Sequence, residues 1–171
     1  MAIETDTESV TTIIKGILEY YDMATPELLT DVSKAIGLRL LTENSTIDDI
    51  GIQLRDSKAF KERFSGNEKL RAAKKPVYSV SQYLQLESQY RSNLLAAGMP
   101  ADFYSSQADI ANFIGNQNSP DEIKDRVALG YAAVKNADPK IVAELKTLYG
   151  LDDGTLAAFF FRPSTNQRRS C

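Results

Sequence analysis

The stretch Ser79–Pro100, SVSQYLQLESQYRSNLLAAGMP, decides what kind of fold this chain adopts. Ser79 and Gln82 stand three residues apart, the spacing at which two side chains cap each other's backbone at a helix start. Val80, Tyr83, Leu84, Glu87, Tyr90, Leu94 and Leu95 then recur at intervals of three and four, along one helix face. All of them but Glu87 are apolar or aromatic, so this face must be buried against something. Gly98 suits the left-handed residue that closes a helix, and Pro100 forbids continuation.

Working outward, the same grammar recurs. Upstream, Val10, Ile13, Ile14, Ile17 and Leu18 form one helical face, closed by Tyr20 and Tyr21. Thr25-Pro26-Glu27 restarts the chain with a cap, an early proline and an acid at the positive helix end. Leu28, Leu29, Val32, Ile36, Leu40 and Leu41 carry that helix to about residue 43. After the polar break Asn44-Ser45-Thr46 come Ile47, Ile50 and Leu54, then a break at Asp56-Ser57, then Phe60 and Phe64 one turn apart. Residues 65–79 are the least periodic internal stretch, and Pro76 sets a helix boundary near Lys74.

Downstream, Ile110, Phe113 and Ile114 mark a short helix stopped by Gly115. Ser119-Pro120-Asp121-Glu122 opens a helix with the stripe Ile123, Val127, Tyr131 and Val134. Asp138-Pro139 opens another, with Ile141, Val142, Leu145 and Leu148, closed by Gly150; Asp152 or Asp153 caps a last segment, GTLAAFFF. Strand-like alternation is absent throughout. The expectation is an all-α, compact array of about eight short-to-medium helices joined by short capped turns. Its parts are a flexible start at 1–7, a helical part at 8–64, a connector at 65–79, a second helical part at 80–161 and a disordered polar tail at 162–171.

Composition narrows the function classes. The chain has 171 residues, 43% of them hydrophobic and 25% charged, with a net charge of −3, ordinary values for a globular protein. Nothing in that balance favours nucleic acid or an anionic membrane surface, and no apolar run approaches the ~20 residues that span a bilayer. The start, MAIETDTESV, lacks the basic and apolar regions of a secretory signal. Histidine is absent and the single cysteine is Cys171, which rules out Ser-His and Cys-His nucleophile systems, Cys/His zinc sites and an internal disulfide. No phosphate-binding glycine loop or dinucleotide fingerprint occurs, so no cofactor is expected.

Of the candidate sites, Asp48–Asp49 and Asp121, Glu122 and Asp125 read as helix-start acids before they read as catalytic or metal pairs. Arg71, Lys74 and Lys75, with Lys69 and Tyr78 nearby, form a weak basic patch; Glu68 and the acidic total favour a solvated face. The aromatics are more telling. Phe159, Phe160 and Phe161 are consecutive and cannot share one helix face, and Phe103–Tyr104 follow a helix stop that does not require them. Core packing and a protein interface both account for them.

Four motifs in order, LRDSKAFKERF, SVSQYLQLESQYRSNLLAAGMPADFY, SPDEIKDRV and LYGLDDGTLAAFF, resemble the helical region of virion-structural proteins, often termed minor tail proteins, of tailed bacteriophages of actinobacteria. The resemblance spans roughly residues 8–161, and TIDDIGIQLRDSKAFKERF is also similar to a helical module of secreted repeat-bearing bacterial proteins. That family continues past the aromatic segment, where this chain reads RPSTNQRRSC, so the resemblance implies a shortened C-terminus. It further implies a non-enzymatic tail or tail-assembly component, made in the bacterial host cytoplasm and resident in the virion. Its partners would be other virion proteins, copies of itself included, with neither membrane nor nucleic acid expected; Phe103, Tyr104, Phe159 and Phe160 would be the interface residues. Two other classes stand beside it: a head-interior or nucleic-acid-associated protein using Arg71, Lys74 and Lys75, and a carboxylate-based cell-wall hydrolase, for which no residue pair is marked.

Overall fold

The computed structural model describes residues 2–100 and 106–161, with side chains for 7–100 and 106–158. Among these residues there are ten helices and no strand: α1 (Ala2–Tyr20), α2 (Pro26–Gly37), α3 (Ile47–Leu54), α4 (Lys58–Arg63), α5 (Ser65–Ala72), α6 (Val80–Ala96), α7 (Gln107–Gly115), α8 (Pro120–Asn136), α9 (Pro139–Tyr149) and α10 (Asp153–Phe161). The protein is all-α, with two more helices than expected. It forms two compact units, one of residues up to Glu87 plus Ala111–Gln117, the other of Ser88–Ile110 plus the chain from Asn118, so the division falls inside α6 and α7.

In the first unit, α1 buries Val10, Ile14 and Leu18, and α2 buries Leu28, Val32 and Ile36. Phe60 and Phe64 lie with ring centroids 4.6 Å apart, and Tyr83 meets Phe64 edge-on at 5.0 Å. Gly51 lets α3 approach closely, since a Cβ there would stand 2.2 Å from Val80 Cγ2.

The supposed connector is in part a helix. Residues 65–72 form α5, whose buried side carries Gly66, Asn67 and Leu70, which leaves no apolar period to see. Asn67 replaces packing with pairing: its Nδ2 donates to the Tyr78 carbonyl at 2.9 Å, and its Oδ1 accepts from the Tyr78 amide at 3.0 Å. Gly66 is small for a reason, because a Cβ would meet the Tyr83 hydroxyl at 2.8 Å and the Ala111 carbonyl at 2.9 Å. At the other end of the chain's first unit, α1 takes in residues 2–7, expected to be a flexible start.

Three helix ends of the first unit share one pattern. Asp22, Arg39 and Lys74 sit in the left-handed region, at φ 54°, 57° and 56°. Behind each, the next amide reaches back five residues: Met23 to the Leu18 carbonyl, Leu40 to Ala35, Lys75 to Leu70. This paired closure normally takes glycine at its left-handed position. It ends α2 at Gly37 instead of near residue 43, and turns Leu41 back into the core while Leu40 stays half exposed.

In the second unit, α8 buries Ile123, Val127, Gly130 and Val134, and α10 packs on it through Leu156, Ala157 and Ala158. The approach is backbone-close: a Cβ at Gly130 would lie 2.7 Å from the Ala157 carbonyl oxygen. Gly98, at φ 74°, closes α6 as its sequence implies, and its carbonyl would stand 2.5 Å from a Cβ at Gly154. The Tyr90 hydroxyl donates to the Asn118 carbonyl, and Asn93 Nδ2 donates to the Pro120 carbonyl at 3.1 Å. Leu95 departs from the expected buried stripe and is exposed.

Candidate protein-binding surface

Helix α9 is built by strong local signals. Asp138 Oδ1 accepts from the Lys140 amide at 2.8 Å, Pro139 occupies the first helical position, and Gly150, at φ 64°, closes the far end. Lys146 Nζ lies 2.7 Å from Asp153 Oδ1, tying α9 to the start of α10. Yet α9 buries none of its residues. At about 100° per residue, Leu148, Ile141, Leu145, Tyr149 and Val142 form one continuous apolar arc of roughly 120°. Val142 and Leu145 are half buried, whereas Ile141, Leu148 and Tyr149 are 56%, 72% and 70% exposed. An amphipathic helix that leaves its apolar side in water is unusual, because each such side chain forgoes burial worth about 1.5–3 kcal/mol.

Beside this arc runs a groove of about 610 Å³, floored by Tyr131, Val134, Ala137, Pro139, Val142 and Ala143 and edged by Lys135, Lys146 and Asp153. Burial, then the charges of Asp152 and Asp153, push the Tyr131 phenol above its ordinary value. Asp152 is held below the ordinary carboxylate value by the backbone amide and side chain of Thr155, with a smaller effect from Lys146. Lys146 is neutralised by Asp153, while Lys135 and Glu144 have no ion-pair partner among the described residues. The groove has an apolar floor with Lys135 unpaired at its edge, and Glu144 lies on the other side of α9.

The residues expected to form an interface lie, wholly or by their side chains, outside the described residues. Phe103 and Tyr104 lie outside the described residues; Phe159 and Phe160 belong to α10, but their side chains also lie outside. The basic patch is brought together only in part. Arg71 is ion-paired with Glu68, and Lys69 Nζ donates to Asn112 Oδ1, leaving Lys74 and Lys75 exposed just beyond α5. Asp49 caps its own helix as expected, accepting from the Thr46 amide at 2.8 Å while Thr46 Oγ1 accepts from the Asp49 amide. Asp48 does something else: it accepts from the Ser81 amide and hydroxyl at 2.8 and 2.7 Å, and so caps α6 from α3. Asp121 and Asp125 are exposed, and Glu122 pairs with Arg126 at 2.6 Å.

Two features escaped the sequence. Ile141 and Leu148 belong to the expected apolar positions of α9, but nothing in a linear pattern tells which side finds a neighbour. The buried pair is the other: Arg63 Nη1 and Nη2 donate to Glu87 Oε1 and Oε2, both at 2.8 Å, with both side chains less than a tenth exposed. An acid inside the apolar stripe of α6 was its signal, since such a charge needs a partner.

Among the described residues no group of three or more His, Cys, Asp or Glu could hold a metal ion, and no helix is long and apolar enough to cross a membrane. No protein-family model, curated protein or solved structure matches this chain.

Proposed function

We propose that this chain is a non-enzymatic structural protein of a tailed bacteriophage, a minor tail or tail-assembly component that works through helical contacts with other virion proteins. The observation that carries the contact half of this reading is α9, whose apolar arc stays in water along Ile141, Leu148 and Tyr149. The virion half rests on the four ordered motifs of the sequence. Use of Arg71, Lys74 and Lys75 on nucleic acid is the weaker alternative, because Arg71 already faces Glu68. The test is quantitative mass spectrometry of purified particles of the bacteriophage that encodes the chain. A fixed copy number per particle, retained through a density gradient, is expected. A chain found in infected cells and missing from the particles overturns the reading.

A further inference from the structure

We propose that copies of this chain associate head to tail, the turn Leu38-Arg39-Leu40 of one copy seating on the outward face of α9 in the next, with Arg39 paired to Glu144. This deepens the reading above and rests on it, since it names a second copy of the chain as one partner of the α9 surface.

The α9 half of the contact is a single surface. At about 100° per residue, Glu144, Leu148, Ile141 and Leu145 follow one another within roughly 100° of the helix circumference, on the side away from Ala143 and Lys146. Glu144 stands at the margin of that face, exposed and without an ion-pair partner among the described residues. Lys140, one turn earlier and further round the helix, is not paired with it.

The first unit carries the counterpart. Leu38 and Leu40 are 71% and 50% exposed on either side of Arg39, in the closure that ends α2. This turn is held in one shape: the amides of Leu38, Arg39 and Leu40 donate to the carbonyls of Lys34, Ile36 and Ala35 at 3.0, 2.8 and 2.9 Å. A preformed turn loses little freedom on binding. Arg39 stands at φ 57°, a position that usually goes to glycine, and it is exposed with no ion-pair partner among the described residues.

The two patches match in apolar area and in charge: a cation between two exposed leucines meets an aliphatic face with one acid at its margin. Lys74-Lys75-Pro76-Val77 is the poorer counterpart. It offers one valine, 44% exposed, and lysines that act as point charges, whereas the planar fork of arginine can hold a carboxylate by two bonds. Pairing α9 with α9 also fits poorly, because in antiparallel pairing about Leu145 the two Glu144 carboxylates come together. Two different patches do not close on a pair, so the contact generates a ring or a filament of copies. So few side chains bury less than the ~1,200 Å² of stable pairs, so the isolated chain should associate weakly and the contact matters where many copies line up.

The test follows amide signals of the full chain, labelled with 15N, from ~0.05 to ~1 mM, the range of a weak contact. Residues 35–41 and 141–149 should shift together as concentration rises. Arg39→Glu and Glu144→Arg should each weaken association at least about ten-fold, and the chain carrying both should recover it. Labelled Leu38→Glu mixed with unlabelled Leu148→Glu, neither of which associates alone, should shift at 141–149 and not at 35–41. Helicity and thermal midpoint should be retained in every variant, because all four residues are exposed. No concentration-dependent shift, shifts on α9 alone, shifts at 73–78 in place of 35–41, or no recovery in the doubly reversed chain overturns the proposal. A chain that fails here and is still counted at a fixed copy number in virions loses the head-to-tail contact and keeps the virion reading.

Discussion

At the scale of single residues, the most consequential contact is Arg63 with Glu87. Both are buried, and the fork of Arg63 meets both carboxylate oxygens, with the Arg63 ring contact to Phe64 at 5.1 Å beside it. Arg63 Nε is buried without a hydrogen-bond partner, so the pair is not fully satisfied. Removing one partner leaves a bare charge in the core, whereas removing both does not. Glu87→Ala should therefore cost about 3–5 kcal/mol in urea unfolding, and Arg63→Met with Glu87→Leu should recover most of it. Burial and the Glu87 charge raise the neighbouring Tyr83 phenol to about 12, consistent with a site that disfavours further negative charge. The pair links positions 24 apart, and no spacing rule joins Arg63 to Glu87; only the oddity of an acid on an apolar face was legible.

Asp48 allows a sharper residue-scale statement. Burial on its own would raise the Asp48 carboxyl, but the hydrogen bonds from Ser81, Ser79 and Val80 together outweigh it and hold it below the ordinary value. A carboxyl lowered on folding adds stability that is complete above its unfolded value of about 3.9 and is lost as pH falls through the native one. Asp48→Ala should cost about 1 kcal/mol at neutral pH, the size of a lost helix cap. The difference between wild type and variant, followed by chemical denaturation from pH 7 to 2.5, should shrink below pH 4. A constant difference across that range would show that Asp48 caps nothing.

At the scale of elements, most helix starts were legible and several helix ends were not. Starts depend on a hydroxyl or carboxylate meeting a nearby amide, so Thr25, Ser119 and the Asp138-Pro139 opening announce themselves, and Thr46 and Ser57, read only as parts of breaks, accept in the same way. The Ser79–Gln82 pair closes both ways, at 3.0 and 3.3 Å. The end formed by Arg39 in a left-handed conformation carries no such mark, because glycine is the residue that advertises it, whereas Pro76 did mark the boundary near Lys74. Hence α2 stops about six residues short of its expected end, while α6, which closes on Gly98, stops where expected. Helix α5 was hidden for another reason: Leu70 is the one large apolar side chain on its buried side, beside Gly66 and Asn67, and Asn67 is held by two hydrogen bonds with the Tyr78 backbone.

Helix pairing offers its own prediction. The α8–α10 contact depends on Gly130, where an added methyl would lie 2.7 Å from the Ala157 carbonyl, a backbone atom that cannot swing aside. Gly130→Ala removes an entropic disadvantage in the helix but forces the two helices apart, so a net loss of about 1–3 kcal/mol should appear in thermal unfolding. A gain would mean that α10 is not seated on α8 at this depth.

At the scale of the whole molecule, the all-α class follows from the sequence with little ambiguity, because capped apolar stripes at intervals of three and four recur along the chain and alternate nowhere. The candidate site was less legible. Aromatic clustering pointed to Phe103, Tyr104, Phe159 and Phe160, whose side chains lie outside the described residues; among the described ones, Ile141 and Leu148, beside Tyr149, stand exposed on α9. Linear sequence shows that α9 has an apolar face but not which helices reach it; that depends on where α8 and α10 lie. A helix that is tied down at Asp138, Gly150 and Asp153, yet buries nothing, is held in place without being covered.

Whether this chain joins a virion through α9 can be read from particle composition. Particles produced with the wild-type chain and with the Ile141→Glu, Leu148→Glu double variant would be compared by quantitative mass spectrometry, with circular dichroism of the purified proteins as the folding control. A fixed copy number is expected for wild type, and at least about a ten-fold loss for the variant at unchanged helicity. Equal incorporation of the two chains would contradict it.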